Sequence, residues 1–346
     1  VVAGARVVGG AVETAVGEPQ AIAALTEAFF TAESTHDDVL LARVALELMY
    51  AATQRVDVAA AELWSRHARA LLDRIGDARP SERDDLEVAY LGHLGTLHVH
   101  NGAYAQADAD YRRALELRQR IGGSALRLAG VHNNLGNLLL RVGRLEDGQA
   151  SLERAAAIFR EALGASHPSL AVAFNNLGEV FMRRGDWAGA REQYGHARRI
   201  FAAALGPEHV HVGVADNNLG DVALRLGELA AAAPLYEHAL AIFTRSFGEV
   251  GPPLAYPLTG LGELRLAQGR AEEARALLER ALALPGAGSP TDLGRRRIAL
   301  ARALAADPAA AERAAALAEE ARAAFAAAGP AFARELAATE AWIRGR

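Results

Sequence analysis

Paired asparagines return along this chain at one fixed step. Asn133-Asn134 is followed by Asn175-Asn176 and then by Asn217-Asn218, 42 residues apart each time, and every pair leads into Leu-Gly. An asparagine side chain offers an acceptor and two donors, the complement of a peptide group. A row of asparagines can therefore hold the backbone of an extended segment without reading its side chains. The same row ends on Thr259, in a degenerate copy Thr259-Gly260-Leu261-Gly262. A second row, headed by Thr96, runs Asn137, Glu179, Asp221 and Glu263, and a third, headed by His100, runs Arg141, Arg183 and Arg225. On a helix Asn133, Asn137 and Arg141 share one stripe, while Leu135 and Leu139 face away from it. The polar rows thus read as one continuous binding face and the leucines as the packing face. Two uses of the asparagines stay open at this point: pairing a bound peptide, or bonding to one another and to helix ends.

The acids and arginines need a separate reading. Glu179–Arg183 and Asp221–Arg225 are i, i+4 pairs in the favourable order, each contributing only a few tenths of a kcal/mol, so the two rows are expected to neutralise each other. His98-Val99-His100 and His209-Val210-His211 have a spacing a metal could use, but i, i+2 side chains on a helix point to different sides, and no metal or cofactor is expected. Arg295-Arg296-Arg297 reads as a solvated helix start. All 37 basic residues are arginine. Without lysine the chain cannot encode a P-loop, a kinase active site or a Schiff base. Without cysteine it has no thiolate nucleophile, thiolate metal site or disulfide. A non-catalytic protein is expected.

The elements that position these rows are helices. Hydrophobic residues make up 51% of the chain but aromatics only 6%, an interior of alanine and leucine that suits close helix packing better than sheets. From Glu82 each unit reads as helix A, a glycine turn and helix B. The first regular pair spans Glu82–His100 and Tyr104–Ile121. Turns follow at Gly143, Gly185, Gly227 and Gly269, and helix B ends at Gly164, Gly206 and Gly248, where left-handed caps are expected. Gly136, Gly178, Gly220 and Gly262 fall inside helix A. A mid-helix glycine costs ~1 kcal/mol against alanine, so its return at one phase implies that helices A and B cross closely there. On that reading Gly178→Leu should be far worse than Gly178→Ala.

The ends diverge. Val1–Val16 reads as a frayed helix, Glu18–Thr35 as an amphipathic one, and Leu40–Thr53 with Val58–Ile75 as an early pair after the turn His36-Asp37-Asp38, whose acid is placed to cap. After the linker Pro285–Pro290, Leu293–Ala305 and Ala309–Ala328 form one more pair. Ala331–Ile343 reads as a capping helix whose Trp342 and Ile343 cover the last unit, as a solenoid requires. The expectation is one array over 1–346, with divergent repeats over 1–81, regular ones over 82–284, and a divergent repeat plus cap over 285–346. A net charge of -5 with no long basic run argues against nucleic acid, and no apolar stretch approaches the ~20 residues of a membrane span. The first residue is Val, so the chain is expected to begin inside a longer protein.

These residues carry a resemblance. Leu135, Gly136, Gly143, Leu145, Gly148, Leu152 and Ala155 fall on the skeleton of tetratricopeptide repeats, as do Gly185, Trp187, Ala190, Tyr194 and Ala197, and Gly102, Tyr104, Ala107, Tyr111 and Ala114. The period exceeds the family's usual ~34 residues, lengthening helix B by about two turns. This long form resembles the repeats of kinesin light chains and their bacterial relatives, which share the paired asparagines and the Leu205–His209 linker. The divergent start (Glu27–Asp38, Trp64) and the ending (Ala333–Ile343) resemble the C-terminal array of large bacterial serine/threonine kinases. The resemblance implies an all-α solenoid, a right-handed superhelix of antiparallel helix pairs, whose helix A positions hold bound peptide. It implies a cytoplasmic scaffold or sensory module of a bacterial signalling protein. The site expected is Asn133, Asn134, Asn137, Arg141, Asn175, Asn176, Glu179, Arg183, Asn217, Asn218, Asp221, Arg225, Thr259 and Glu263. The alternatives are a self-association module that makes homo-oligomers and a peptide-sensing regulator.

Overall fold

The computed structural model describes residues 19–286 and 288–345, so the helix expected over Val1–Val16 lies outside the described residues. Within them the secondary structure is helical throughout, with no β-strand. The helices are α1 (Pro19–Glu33), α2 (Asp38–Gln54), α3 (Val58–Ile75), α4 (Pro80–His100), α5 (Tyr104–Ile121), α6 (Ala125–Arg141), α7 (Leu145–Leu163) and α8 (Pro168–Arg184). They continue as α9 (Trp187–Leu205), α10 (Val210–Arg225), α11 (Leu229–Phe247), α12 (Ala255–Ala267), α13 (Ala271–Ala283), α14 (Pro290–Leu304), α15 (Ala311–Ala327) and α16 (Ala333–Arg344). Even-numbered helices from α4 to α14 are helix A of a repeat, and each packs against the odd-numbered helix B that follows it. The bounds expected for α3 and α5 match to the residue. That of α14 begins three residues earlier than expected, because Ser289 and Asp292 form a reciprocal capping box ahead of Pro290.

Local chemistry sets the helix starts. Asp37 accepts hydrogen bonds from the amides of Val39 and Leu40 at 3.1 and 3.4 Å, and Asp57 and Asp186 cap α3 and α9 in the same way. The linker histidines do the same work: Nδ1 of His167 accepts from the Ser169 amide, and Nδ1 of His209 from the His211 amide, both at 3.2 Å. His209 is thus a helix cap, and the ring of His211 stacks on Phe201 at 4.8 Å. At the other end the structure corrects the expected cap geometry. Gly164, Gly206 and Gly248 have φ of 87°, 95° and 75° but ψ of 170°, 152° and 176°. That region lies outside the left-handed helical well and is open essentially to glycine alone, so the requirement for glycine is stricter than the sequence reading implied.

By its contacts the chain divides into two compact units, Val1–Leu139 with Glu146–Ile158, and Leu140–Leu145 with Phe159–Arg346. The first is built on Phe29, Leu48, Met49, Leu72, Leu91, Tyr111 and Leu138, with Trp64 set edge-on to Phe29 at 5.1 Å between centroids. In the second the core runs from Tyr194 and Phe201 through Tyr236, Ile242, Phe243 and Leu258 to Leu278, Leu300 and Phe325. Trp342 and Ile343 of α16 pack on the last of these clusters, as a capping helix should.

Candidate functional site: the helix A face

The helix A glycines explain how this face is assembled. A methyl group on Gly178 would sit 2.5 Å from the Tyr194 ring, and on Gly220 2.7 Å from the Tyr236 ring. Gly95 meets Tyr111 at 2.6 Å in the same way, while Gly136 and Gly262 meet Leu152 and Leu278, each at 2.6 Å. The partner always stands sixteen residues after its glycine. Close crossing is therefore the reason for the glycine. Even alanine would force the ring to move, so Gly178→Ala also carries a cost beside the larger one expected for Gly178→Leu.

Because no side chain intervenes, each tyrosine ring crosses helix A and delivers its hydroxyl to the residue just after the glycine. Tyr236 Oη donates to Asp221 at 2.7 Å, Tyr194 Oη to Glu179 at 3.5 Å, and Tyr111 Oη lies 3.0 Å from Thr96 Oγ1. The acid row is thus fixed from behind by helix B. Burial, and then the charge of the facing acid, push the Tyr194 and Tyr236 hydroxyls well above the usual phenol range, so both stay protonated donors.

The charges pair differently from expectation. Glu179 and Arg183 form the i, i+4 salt bridge, with Nε 2.6 Å from the carboxylate, and Arg183 also donates to the Leu140 carbonyl at 3.3 Å. Asp221, by contrast, is taken by Arg295. That guanidinium donates to both oxygens of Asp221 at 2.7 and 3.1 Å, and to both of Glu263 at 2.7 and 2.9 Å. Burial opposes ionisation of Asp221, but the charge and hydrogen bonds of Arg295 outweigh it and hold the carboxyl below its usual range. Arg225 is left exposed, its charge acting on Asp221 without a salt bridge. The three arginines read as a solvated helix start are all engaged: Arg296 is buried over the Tyr256 ring, and Arg297 pairs with Glu320 at 2.8 Å. The partners of Arg295 and Arg296 lie on earlier repeats and that of Arg297 on the facing helix α15, which is why a reading of near neighbours along the chain misses them.

The asparagines differ in their bonding. Asn218 Nδ2 donates to Asn175 Oδ1 at 3.0 Å, a bond between neighbouring repeats. Asn217 is buried at 8% exposure, and its Oδ1 has no hydrogen-bond partner. Asn133, Asn134, Asn137 and Asn176 are half-buried in their helices, and Arg141 is exposed at the end of α6. Thr259 is inside the helix layer, its hydroxyl bound to the Ala255 carbonyl at 2.5 Å in its own helix. One residue before the asparagine pair, Asp216 is fully buried and accepts from Arg198 Nε and from His238 Nδ1, the latter at 2.6 Å. The hydrogen bond to Asp216 raises the His238 pKa, as does the one to Glu208 from the other ring nitrogen. This brace ties α9, α10 and α11 together. Among the described residues no group of three or more histidines, aspartates or glutamates is placed to hold a metal ion, and no helix is long and apolar enough to cross a membrane.

Tandem antiparallel helix pairs joined at a fixed step define a helical repeat protein. Models of the tetratricopeptide repeat match residues 127–203, 169–244 and 211–285, and a further one matches 88–124, together more than half of the chain. The chain belongs to the tetratricopeptide repeat family. Solved structures share its fold. BtubC (BKLC) from P. vanneervenii is 24% identical over 68% of this chain and 92% of its own, with a TM-score of 0.55. A Rap protein complexed with Competence and Sporulation Factor is 13% identical over 100% of this chain and 99% of its own, with a TM-score of 0.67. NprR in complex with its cognate peptide NprX is 14% identical over 86% of this chain and 82% of its own, with a TM-score of 0.63. No curated protein sequence matches the chain.

Proposed function

We propose that the chain is a non-catalytic recognition module that holds an extended peptide segment of a partner protein along helix A of successive repeats. The observation that carries this reading is Asn217: a buried amide oxygen without a donor, in a row repeated at the family's step. A buried acceptor left unpaired costs ~1–3 kcal/mol; because the oxygen is closed to solvent, a bound backbone N–H reaches it once the Asn217 side chain rotates outward, and that pairing removes the cost. The NprR structure of the same fold holds a peptide, which supports the reading by analogy of fold. Asn176 supplies a further backbone contact, and Asn134 and Asn137 carry the same helix A phase in the first unit. Arg141 and Arg225 supply positive charge, Arg225 because Arg295 takes Asp221, while Arg183 stays paired with Glu179. The module belongs to a cytoplasmic bacterial signalling protein, as its scaffold or sensory part. Nucleic acid is not its partner.

The test compares two single variants against a peptide selected on the wild-type protein from a random display library. Asn217→Ala should leave the melting temperature little changed and weaken the peptide, by roughly tenfold for each ~1.4 kcal/mol lost. Asn175→Ala should lower stability by ~0.5–1.5 kcal/mol, because it breaks the bond from Asn218. Lost stability with intact binding in Asn217→Ala would turn the row into a structural brace.

A further inference from the structure

The segment after α15 returns to the turns of much earlier repeats. Gly329, with φ of 75°, turns the chain into Gly329–Phe332. There the Phe332 ring lies under the Arg183 guanidinium at 5.2 Å, and the Arg334 guanidinium lies over the Trp187 ring at 5.1 Å. The Ala331 backbone comes within 3.5 Å of where a Cβ on Gly143 would stand, and Arg334 within 3.3 Å of the same point on Gly185. Two cation–π pairs of opposite polarity, arginine on phenylalanine and arginine on tryptophan, thus flank two turns that carry no side chain. Phe332 is also anchored behind, stacked on Phe325 at 6.2 Å.

We infer that the Gly143, Arg183, Gly185 and Trp187 edge is a receptor surface for an aromatic-x-arginine sequence, filled in cis by Phe332-Ala333-Arg334 acting as a strap. The inference rests on the proposed peptide face in one respect: Arg183 belongs to both. While the strap is seated, Arg183 is shared among Glu179, Leu140 and Phe332; release frees its outer face and uncovers Trp187. A partner segment with the same aromatic-x-arginine chemistry would compete with the strap.

The absence of native cysteine makes a trapping experiment clean. Ala331 Cβ stands 3.7 Å from the Cβ position of Gly143, within the ~3.5–4.5 Å a disulfide needs. In the full chain, Gly143→Cys with Ala331→Cys should close intramolecularly under mild oxidation at least about tenfold faster than Gly227→Cys with Ala331→Cys, since the Gly227 turn has nothing near it. Adding Arg183→Ala and Trp187→Ala to the first pair should slow closure severalfold. Equal rates for the two pairs, or no effect of the added substitutions, would overturn the strap. If Gly143→Cys disturbs folding, hydrogen exchange of Ala331–Leu336 in Trp187→Ala decides instead. Faster exchange than in the wild type supports the strap, and unchanged exchange contradicts it. No peptide enters either measurement, so the strap and the peptide face stand or fall separately.

Discussion

Gly178 in α8 and Gly195 in α9 are both helical, and a methyl group on each meets opposite surroundings. On Gly195 it would find only the far end of Arg199, 3.7 Å away. Gly195→Ala should therefore stabilise by ~0.5–1 kcal/mol, the ordinary gain of alanine over glycine in a helix. Gly178→Ala should destabilise by ~1–3 kcal/mol, because Tyr194 must move. Denaturant melts of the two variants check both, and a change of the same sign in each would remove the crossing argument. His93 makes a second residue-scale prediction. Burial, helped by the charge of Arg127, pushes its pKa down to about 4. The unfolded chain takes up that proton near pH ~6.5, so the contribution is whole above that pH and is lost as pH falls towards the folded value. His93→Gln should flatten the decline of melting temperature between roughly pH 6.5 and 5, and an unchanged slope would contradict the assignment.

At the scale of elements, what was legible depended on how far apart the interacting residues lie. Helix A and helix B, their glycine turns and the cap at Asp37 follow from periodicity and neighbours within four residues, and they stand where the sequence places them. The reason for the helix A glycines was legible as a crossing, but its agent was not. The signal was present, since tyrosine or leucine follows each of these glycines by sixteen residues. Arg295 left no such signal, because its partners are 32 and 74 residues away on other helices. Its role predicts that Arg295→Ala destabilises α14 against α10 and α12 by ~1–3 kcal/mol, below the ~3–5 of a fully buried pair because the Arg295 side chain is 34% exposed. Arg295→Met, which keeps much of the packing, should lose nearly as much if charge is the cause. A near-neutral Arg295→Met in a thermal melt would assign the effect to packing.

For the whole molecule, each repeat buries its apolar surface mainly against its neighbours, and the helix A positions left over at every step are polar. The repeat family is shown by sequence. The partner is a matter of which face those leftover groups serve. Asparagines half-buried in a row, an unpaired amide oxygen and Arg225, left without a salt bridge because Arg295 takes Asp221, all converge on helix A of α8 and α10. Hydrogen exchange with and without a peptide selected from a random display library tests that convergence most directly. The account predicts slowed exchange over Asn175–Arg183 and Asn217–Arg225, with α9 and α11 unchanged. Protection confined to the helix B segments would contradict it.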